Sequence, residues 1–307
     1  MAGEISRRNF VSNVALTVGG LSLSSFLTSS SGQRGLLPNM NLAYSAITWG
    51  GNDAQAIKDI AGLGFKGVQL RSNIVQDFGT RKELLQDLLD KCKLKFPMFS
   101  SGNANINTGN DEAVIQSHVF NAKFVKSLGC KNIQVTNSSR PKNAAPTTEE
   151  LIKYGKLINE IGKRTLDEGV QTNYHNHMGQ LGQTAEEVKI ILDNCHDKNV
   201  HFLLDIAHFF QGGGDPVAAL HLYKERIHAL HLKDVRPNPT TTDQNAYTFV
   251  ELGQGKVDLT AFFNALDKIH FKGWGIVELD AVPDKEKTPV QCGETSKAFL
   301  QSLQVKI

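Results

Sequence analysis

The chain has 307 residues, 40% of them hydrophobic and 21% charged, with a formal net charge of +2. This length and balance suit one large α/β domain or two small ones and exclude a fibrous or disordered polypeptide. Charges of both signs are interspersed after residue 50, so the clustered basic face that nucleic acid requires is missing and a small-molecule ligand is expected.

The chain begins with Ser6-Arg7-Arg8-Asn9-Phe10-Val11, a mildly apolar stretch to about Leu27, and the polar run Thr28-Ser29-Ser30-Ser31-Gly32. A charged head, apolar middle and polar exit is the layout of an export signal, and the paired arginines resemble the twin-arginine motif. Gly19, Gly20 and several serines make the stretch too short and too weakly apolar for a membrane span. Residues 1–38 are therefore expected to be a signal segment and linker, with a periplasmic or exported destination and no stable membrane span after processing. Residues 39–307 are expected to be the catalytic domain. A disordered tail is the competing reading of the first segment.

Short apolar runs then recur at 42–47, 67–70, 95–99, 132–135, 170–174, 200–204, 227–230 and 274–277, each suited to a buried strand. Amphipathic stretches separate them at 54–63, 82–92, 113–128, 148–168, 185–195, 216–223 and 259–269. Strict alternation predicts parallel strands joined by right-handed crossovers. The joints echo one another: Leu63-Gly64-Phe65-Lys66-Gly67 resembles Leu128-Gly129-Cys130-Lys131-Asn132, and Ile269-His270-Phe271-Lys272-Gly273 follows more loosely. In each, a helix ends near glycine and turns directly into a strand. Over about 270 residues this predicts a single-domain (β/α)8 TIM barrel. A doubly wound open sheet would carry a glycine-rich phosphate loop after its first strand, and Trp49-Gly50-Gly51-Asn52-Asp53 lacks that spacing.

Several joints carry further signals. Gly212-Gly213-Gly214-Asp215 reads as a mobile loop leading into a helix that starts at Pro216. Residues 237–246, rich in Thr, Asn and Pro, read as a long loop over the barrel rim, suited to a lid. Gly253-Gln254-Gly255 reads as a turn before the last helix. Cys92, Cys130, Cys195 and Cys292 are scattered without a CxxC pair, too sparse for a disulfide framework or a zinc knuckle.

His175, Asp205, His231 and Glu278 each stand where an apolar run stops. Residues at the carboxyl ends of barrel strands line the reaction cup, so these four are expected to converge there. Taken singly, each has an ordinary explanation; Asp205, for instance, suits the cap of a following helix. As a set, two imidazoles and two carboxylates suit one divalent ion, Mn, Co, Zn or Mg. His177 lies two residues beyond His175 and faces the same side of an extended segment.

These motifs resemble the sugar phosphate isomerase/epimerase superfamily, the xylose-isomerase-like TIM barrels. Tyr174-His175-Asn176-His177-Met178-Gly179, Leu204-Asp205-Ile206-Ala207-His208 and His231-Leu232-Lys233-Asp234-Val235-Arg236 look most like its inosose dehydratase branch. The resemblance implies one divalent metal on His175, Asp205, His231 and Glu278, with His177, His208 and Lys233 touching substrate or tuning the ligands. Ketose 3-epimerases of that superfamily have a glutamate where this chain has His175, and a second acid on the opposite substrate face. The imidazole here favours one-sided proton abstraction, as in a lyase or an aldose–ketose isomerase acting on a sugar or keto-sugar. In that scheme Glu278 or His177 removes a C–H proton, Lys233 or the metal steadies the enediolate, and His208 protonates a departing hydroxyl. Arg71, Gln134 and Asn137, at or just past strand ends, are expected to bind substrate oxygens. The alternatives are a ketose epimerase and a non-catalytic exported sugar-binding protein. An abasic-site endonuclease of the same fold would need a three-metal cluster and a basic DNA face, for which the sequence shows no sign. An oligomer is compatible with the sequence.

Overall fold

The computed structural model describes residues 40–142, 144–238 and 246–307. The segment expected to carry an export signal and most of the segment 237–246 lie outside the described residues. Strands β1 (Met40–Ser45), β2 (Gly67–Arg71), β3 (Lys95–Asn103), β4 (Asn132–Thr136), β5 (Gln171–His175), β6 (Val200–Asp205) and β7 (Ile227–Leu232) run parallel in sequence order. A hairpin follows, β8 (Asp234–Pro237) antiparallel to β9 (Tyr247–Val250). Strand β10 (Gly273–Val277) then pairs with both β7 and β1 and closes the barrel. All eight expected strands are present, and with them the (β/α)8 architecture.

Ten α-helices are interleaved among the described residues: α1 (Asp53–Leu63), α2 (Ile74–Phe78), α3 (Lys82–Cys92), α4 (Asp111–Lys126), α5 (Thr148–Asp167), α6 (Ala185–Asp193), α7 (Ile206–Gln211), α8 (Pro216–Tyr223), α9 (Leu259–Lys268) and α10 (Pro289–Ser302). Pro216 opens α8 behind the capping side chain of Asp215, as its position predicted. The echoing joints share a left-handed residue at the helix end. Gly64 and Gly129 have φ of 96° and 79°, and His270 takes the same region at 52°.

Two apolar clusters form. The larger lies between strands and helices, where Tyr174 stacks on Phe202 with ring centroids 5.9 Å apart. The smaller consists of Ala43, Met98, Leu203, Ala229 and Ile276 and plugs the barrel interior. These five lie on alternate positions of their strands, so the next inward residues toward the carboxyl ends include Asp205, His231 and Glu278. The plug thus forms a dry floor beneath the strand-end side chains.

Three helices and the hairpin were not expected from the sequence. Helix α7 starts immediately after β6 without a loop, α2 is one turn long, and α10 lies beyond the last apolar run. Of the segment read as a rim loop, the described residues Pro237, Asn238 and Ala246 stand at the facing ends of β8 and β9. Asp234 anchors its base by accepting backbone N–H bonds from Val235, Gly253, Gly255 and Val257 at 2.8–3.1 Å. Gly255 is required there, since a Cβ would stand 2.1 Å from the Asp234 carboxylate.

His118, fully buried on α4, accepts from Ser101 Oγ at 2.7 Å and donates to the Asn103 carbonyl at 3.2 Å. Burial pushes its pKa down from 6.5 to about 4, against the raising effect of that carbonyl. The unfolded chain therefore takes up a proton that the native state refuses. The associated stability is complete above pH 6.5 and is lost as pH falls toward 4, by up to about 3 kcal/mol. Urea unfolding at pH 7 and pH 4.5 is expected to show that His118→Gln loses less stability on acidification than the parent. Equal losses would rule out this histidine as a source of acid lability.

Candidate metal centre

The cup at the carboxyl ends of the strands is built from side chains that the barrel register brings level. Asp205 ends β6 opposite His231 on β7, His175 ends β5, and Glu278 follows β10 with its N–H donated to the Leu232 carbonyl at 3.0 Å. His231 Nδ1 lies 3.0 Å from His175 Nε2, 3.3 Å from Glu278 Oε1 and 3.5 Å from Asp205 Oδ2. His175 Nε2 lies 3.3 Å from Asp205 Oδ2. All four residues are buried, and their ligand atoms fall within 4.8 Å of one another.

A tetrahedral ion with ligands at about 2.0–2.1 Å has ligand–ligand edges of about 3.3–3.4 Å. Four of the edges given by these atoms, 3.0–3.5 Å, cluster around that value. Tautomer chemistry points the same way. His231 donates Nε2–H to Gln69 Oε1 at 3.0 Å, which leaves Nδ1, once deprotonated, as the lone pair aimed at the cluster. The donor set therefore fits a divalent cation. His175 Nδ1 is buried without a protein partner among the described residues, so this ring is held less firmly than His231.

The supports around the four are as specific as the four themselves. Asp205 splits its carboxylate: Oδ1 accepts from the N–H groups of Ala207 and His208 and so caps α7, while Oδ2 faces the histidines. The helix-cap reading of Asp205 is correct, and its second oxygen is left to face the candidate metal cluster. Asn176 clamps the Asp205 backbone on both sides, donating to its carbonyl at 3.1 Å and accepting its N–H at 2.9 Å. Gln69 also donates to Gln134 Oε1 at 3.1 Å and to Glu278 Oε2 at 3.3 Å, and Gln134 donates to Thr136 Oγ1 at 3.0 Å. Gln134, expected to bind substrate, has its amide engaged on both sides, by Gln69 and by Thr136.

Lys233 is almost completely buried, 2.7 Å from Asp280 Oδ1, 3.1 Å from Glu278 Oε1 and 3.8 Å from Asp205 Oδ2, with its ammonium 4.2 Å from the centre of the Phe249 ring. Burial disfavours its charge, but Glu278, Asp280 and Asp205 outweigh that and hold its pKa well above the ordinary value. Lys233 is a permanent cation at neutral pH. Burial pushes the Glu278 carboxyl up, but His231 and Lys233 dominate and hold it well below the usual carboxylate range.

His177 donates Nδ1–H to the Met178 carbonyl at 2.6 Å, leaving its Nε2 lone pair free, and its ring lies 3.8 Å from that of His208 and 5.8 Å from that of His175. His208 accepts the Met178 N–H at 3.2 Å, and its Nε2 lies 3.5 Å from Lys233 Nζ. Burial lowers the pKa of both rings, so both are neutral at pH 7. Arg71 ends β2 at a half-buried position beside Asp53, and Asn137 follows β4 with its Oδ1 buried and unpartnered among the described residues.

Gln69, Asn176, Asp280 and Phe249 were not singled out in the sequence. Gln69 had a readable signal, a lone amide inside the apolar run Gly67-Val68-Gln69-Leu70, because a buried polar side chain must find partners.

The family described as xylose isomerase-like TIM barrel matches residues 57–299. Inosose dehydratase of Clostridium botulinum is 26% identical over 250 residues, covering 75% of this chain and 82% of that enzyme. Inosose dehydratase of Klebsiella pneumoniae is 28% identical over 275 residues, covering 80% and 91%. Among solved structures, the IOLI protein with a binding zinc atom superposes with a TM-score of 0.70 at 19% identity, over 86% of this chain and 98% of that one. The probable 3-DHS dehydratase AsbF from Bacillus anthracis gives 0.70 at 16% identity, over 87% and 100%. Distant homology to inosose dehydratases agrees with the strand-end motifs, and the family match spans most of the barrel. The chain belongs to the xylose isomerase-like TIM barrel family.

Proposed function

We propose that this protein is a divalent-metal-dependent enzyme that removes a C–H proton beside the carbonyl of a sugar or keto-sugar, acting as a dehydratase-type lyase or an isomerase. The convergence of His175, Asp205, His231 and Glu278 beside the buried Lys233 ammonium carries this reading. The names of the relatives, inosose dehydratases among them, support the substrate class. When bound, the ion acidifies the C–H group between a chelated carbonyl and hydroxyl.

The residues divide the remaining work. Glu278 is a weak base, since one oxygen faces Lys233 and His231 while the other accepts from Gln69. His177 suits the role better: it is neutral, its tautomer is set by the Met178 carbonyl, and its second nitrogen keeps its lone pair. Lys233 supplies fixed positive charge for a developing oxyanion, and Asp280 orients it. Arg71 and Asn137 are assigned to substrate hydroxyls. Residues 1–38 are assigned to twin-arginine export on the pattern around Arg7-Arg8, which fits an environmental or glycan-derived sugar.

Deuterium exchange separates these assignments. His177→Gln is expected to retain metal and lose about 100-fold or more in turnover and in substrate C–H exchange, whereas Glu278→Gln is expected to lose metal first. A His177→Gln protein with unchanged exchange would return the base role to Glu278. A parent protein that binds metal and sugar without any exchange would be a binding protein instead. Product mass then identifies the reaction, with loss of water marking a lyase.

Metal binding itself is expected to be pH-dependent. In the metal-free site burial disfavours the His231 imidazolium, yet Glu278 and Asp205 outweigh it and raise its pKa to about 9. The proton on that ring must leave before a metal can bind. Affinity should therefore rise about ten-fold per pH unit below 9 and level off above it. Calorimetry at pH 7 in buffers of different ionisation enthalpy is expected to show about one proton released per ion. No buffer dependence would mean that His231 carries no proton in the metal-free site at pH 7.

A further inference from the structure

The opposite, amino-terminal mouth of the barrel holds a second concave site, lined on one side by cations. A cavity of about 510 Å³ opens there, bordered by Lys66, Lys93, Lys95 and Lys131 and floored by Trp274 and Pro97. Lys66 and Lys131 immediately precede β2 and β4, and Lys95 opens β3. Neighbouring strands therefore bring three amines to one rim. No carboxylate lines the cavity, and among the described residues none of these four lysines has an acidic partner; Lys66 Nζ donates only to the Gly64 carbonyl at 3.0 Å.

The floor is shaped as deliberately as the rim. Gly67 has no backbone need for glycine, yet a Cβ there would stand 2.8 Å from the Trp274 ring and 3.1 Å from Pro97. Glycine at 67 lets the indole lie across the strand and present a flat apolar surface. Lys93 sits at the left-handed helix-end position that glycine fills at 64 and 129, at φ 55°. A long basic side chain thus stands where the backbone would favour glycine. The plug of Ala43, Met98, Leu203, Ala229 and Ile276 separates this mouth from the metal centre.

We propose that this mouth is a binding site for an organic phosphate carrying a flat ring, independent of the metal-site chemistry. Gathered amines with no acid among them suit a multiply charged anion. The indole floor suits a ring stacked face to face, and the volume suits a nucleotide-sized molecule.

The protein's two tryptophans make the test direct, because Trp49→Phe leaves Trp274 as the sole indole reporter. In that background, full-length protein is titrated with adenosine monophosphate, adenosine and inorganic phosphate, following indole emission. The nucleotide is expected to give a saturable, salt-sensitive change, with adenosine and phosphate each about ten-fold weaker or more. Combining Lys66→Ala, Lys95→Ala and Lys131→Ala should weaken nucleotide binding about ten-fold or more. Combining Lys82→Ala, Lys163→Ala and Lys198→Ala, all exposed elsewhere, should leave it unchanged. Absence of a saturable change, equal weakening by both triple variants, or adenosine binding as tightly as its phosphate would each overturn the proposal.

Discussion

Two imidazole nitrogens and two carboxylate oxygens face one another at 3.0–3.5 Å inside a closed barrel. In water such a set would be pulled apart by its own lone-pair and charge repulsion, and burial makes the repulsion stronger. A positive species at the centre would reconcile them. A proton on His231 does so partially, and a divalent ion fully. The charge balance agrees: Asp205, Glu278 and Asp280 carry three negative charges against the single positive charge of Lys233. The difference is that of one divalent cation.

Holding these groups in place is a structural cost that the barrel spreads over many small contacts. Gln69 fixes the tautomer of His231 and steadies the second oxygen of Glu278, and Gln134, itself bonded to Thr136, in turn satisfies Gln69. The chain of amides spans β2 and β4, so the ligand on β7 is positioned from across the barrel interior. Beneath it, the dry plug excludes water from below, which keeps the local dielectric low and each polar contact strong. Lys233 is roofed by Phe249 from the hairpin, so the segment beyond β7 contributes to the cup as well as covering it.

The barrel was legible because its signal is repeated. Eight short apolar runs, each followed by an amphipathic stretch, leave few alternatives, and joints such as that at Gly64 mark where helix gives way to strand. The four converging residues were legible for a related reason, since each interrupts an apolar run at the same end. Gln69 interrupts such a run in its interior, where the sequence alone cannot tell an inward from an outward residue. The hairpin was hidden because β8 and β9 are four residues each and pair across a polar segment that carries no apolar period. Helix α7 was signalled only by the capping residue Asp205, because its six residues are too few to show an amphipathic period.

That double use of Asp205 ties the local fold to the candidate site. Its two oxygens point along different directions, one to the first turn of α7 and one to the histidines. A helix start carries partial positive charge and stabilises the carboxylate by about 0.3–1 kcal/mol or more when partly buried. Burial raises its pKa, but His208, Lys233 and the histidine contacts overcome this and hold the group ionised. The helix is therefore placed to keep a metal-competent acid charged in a dry interior, and the acid in return starts the helix where β6 ends. Local folding and the proposed chemistry share one side chain, so neither can be altered without the other.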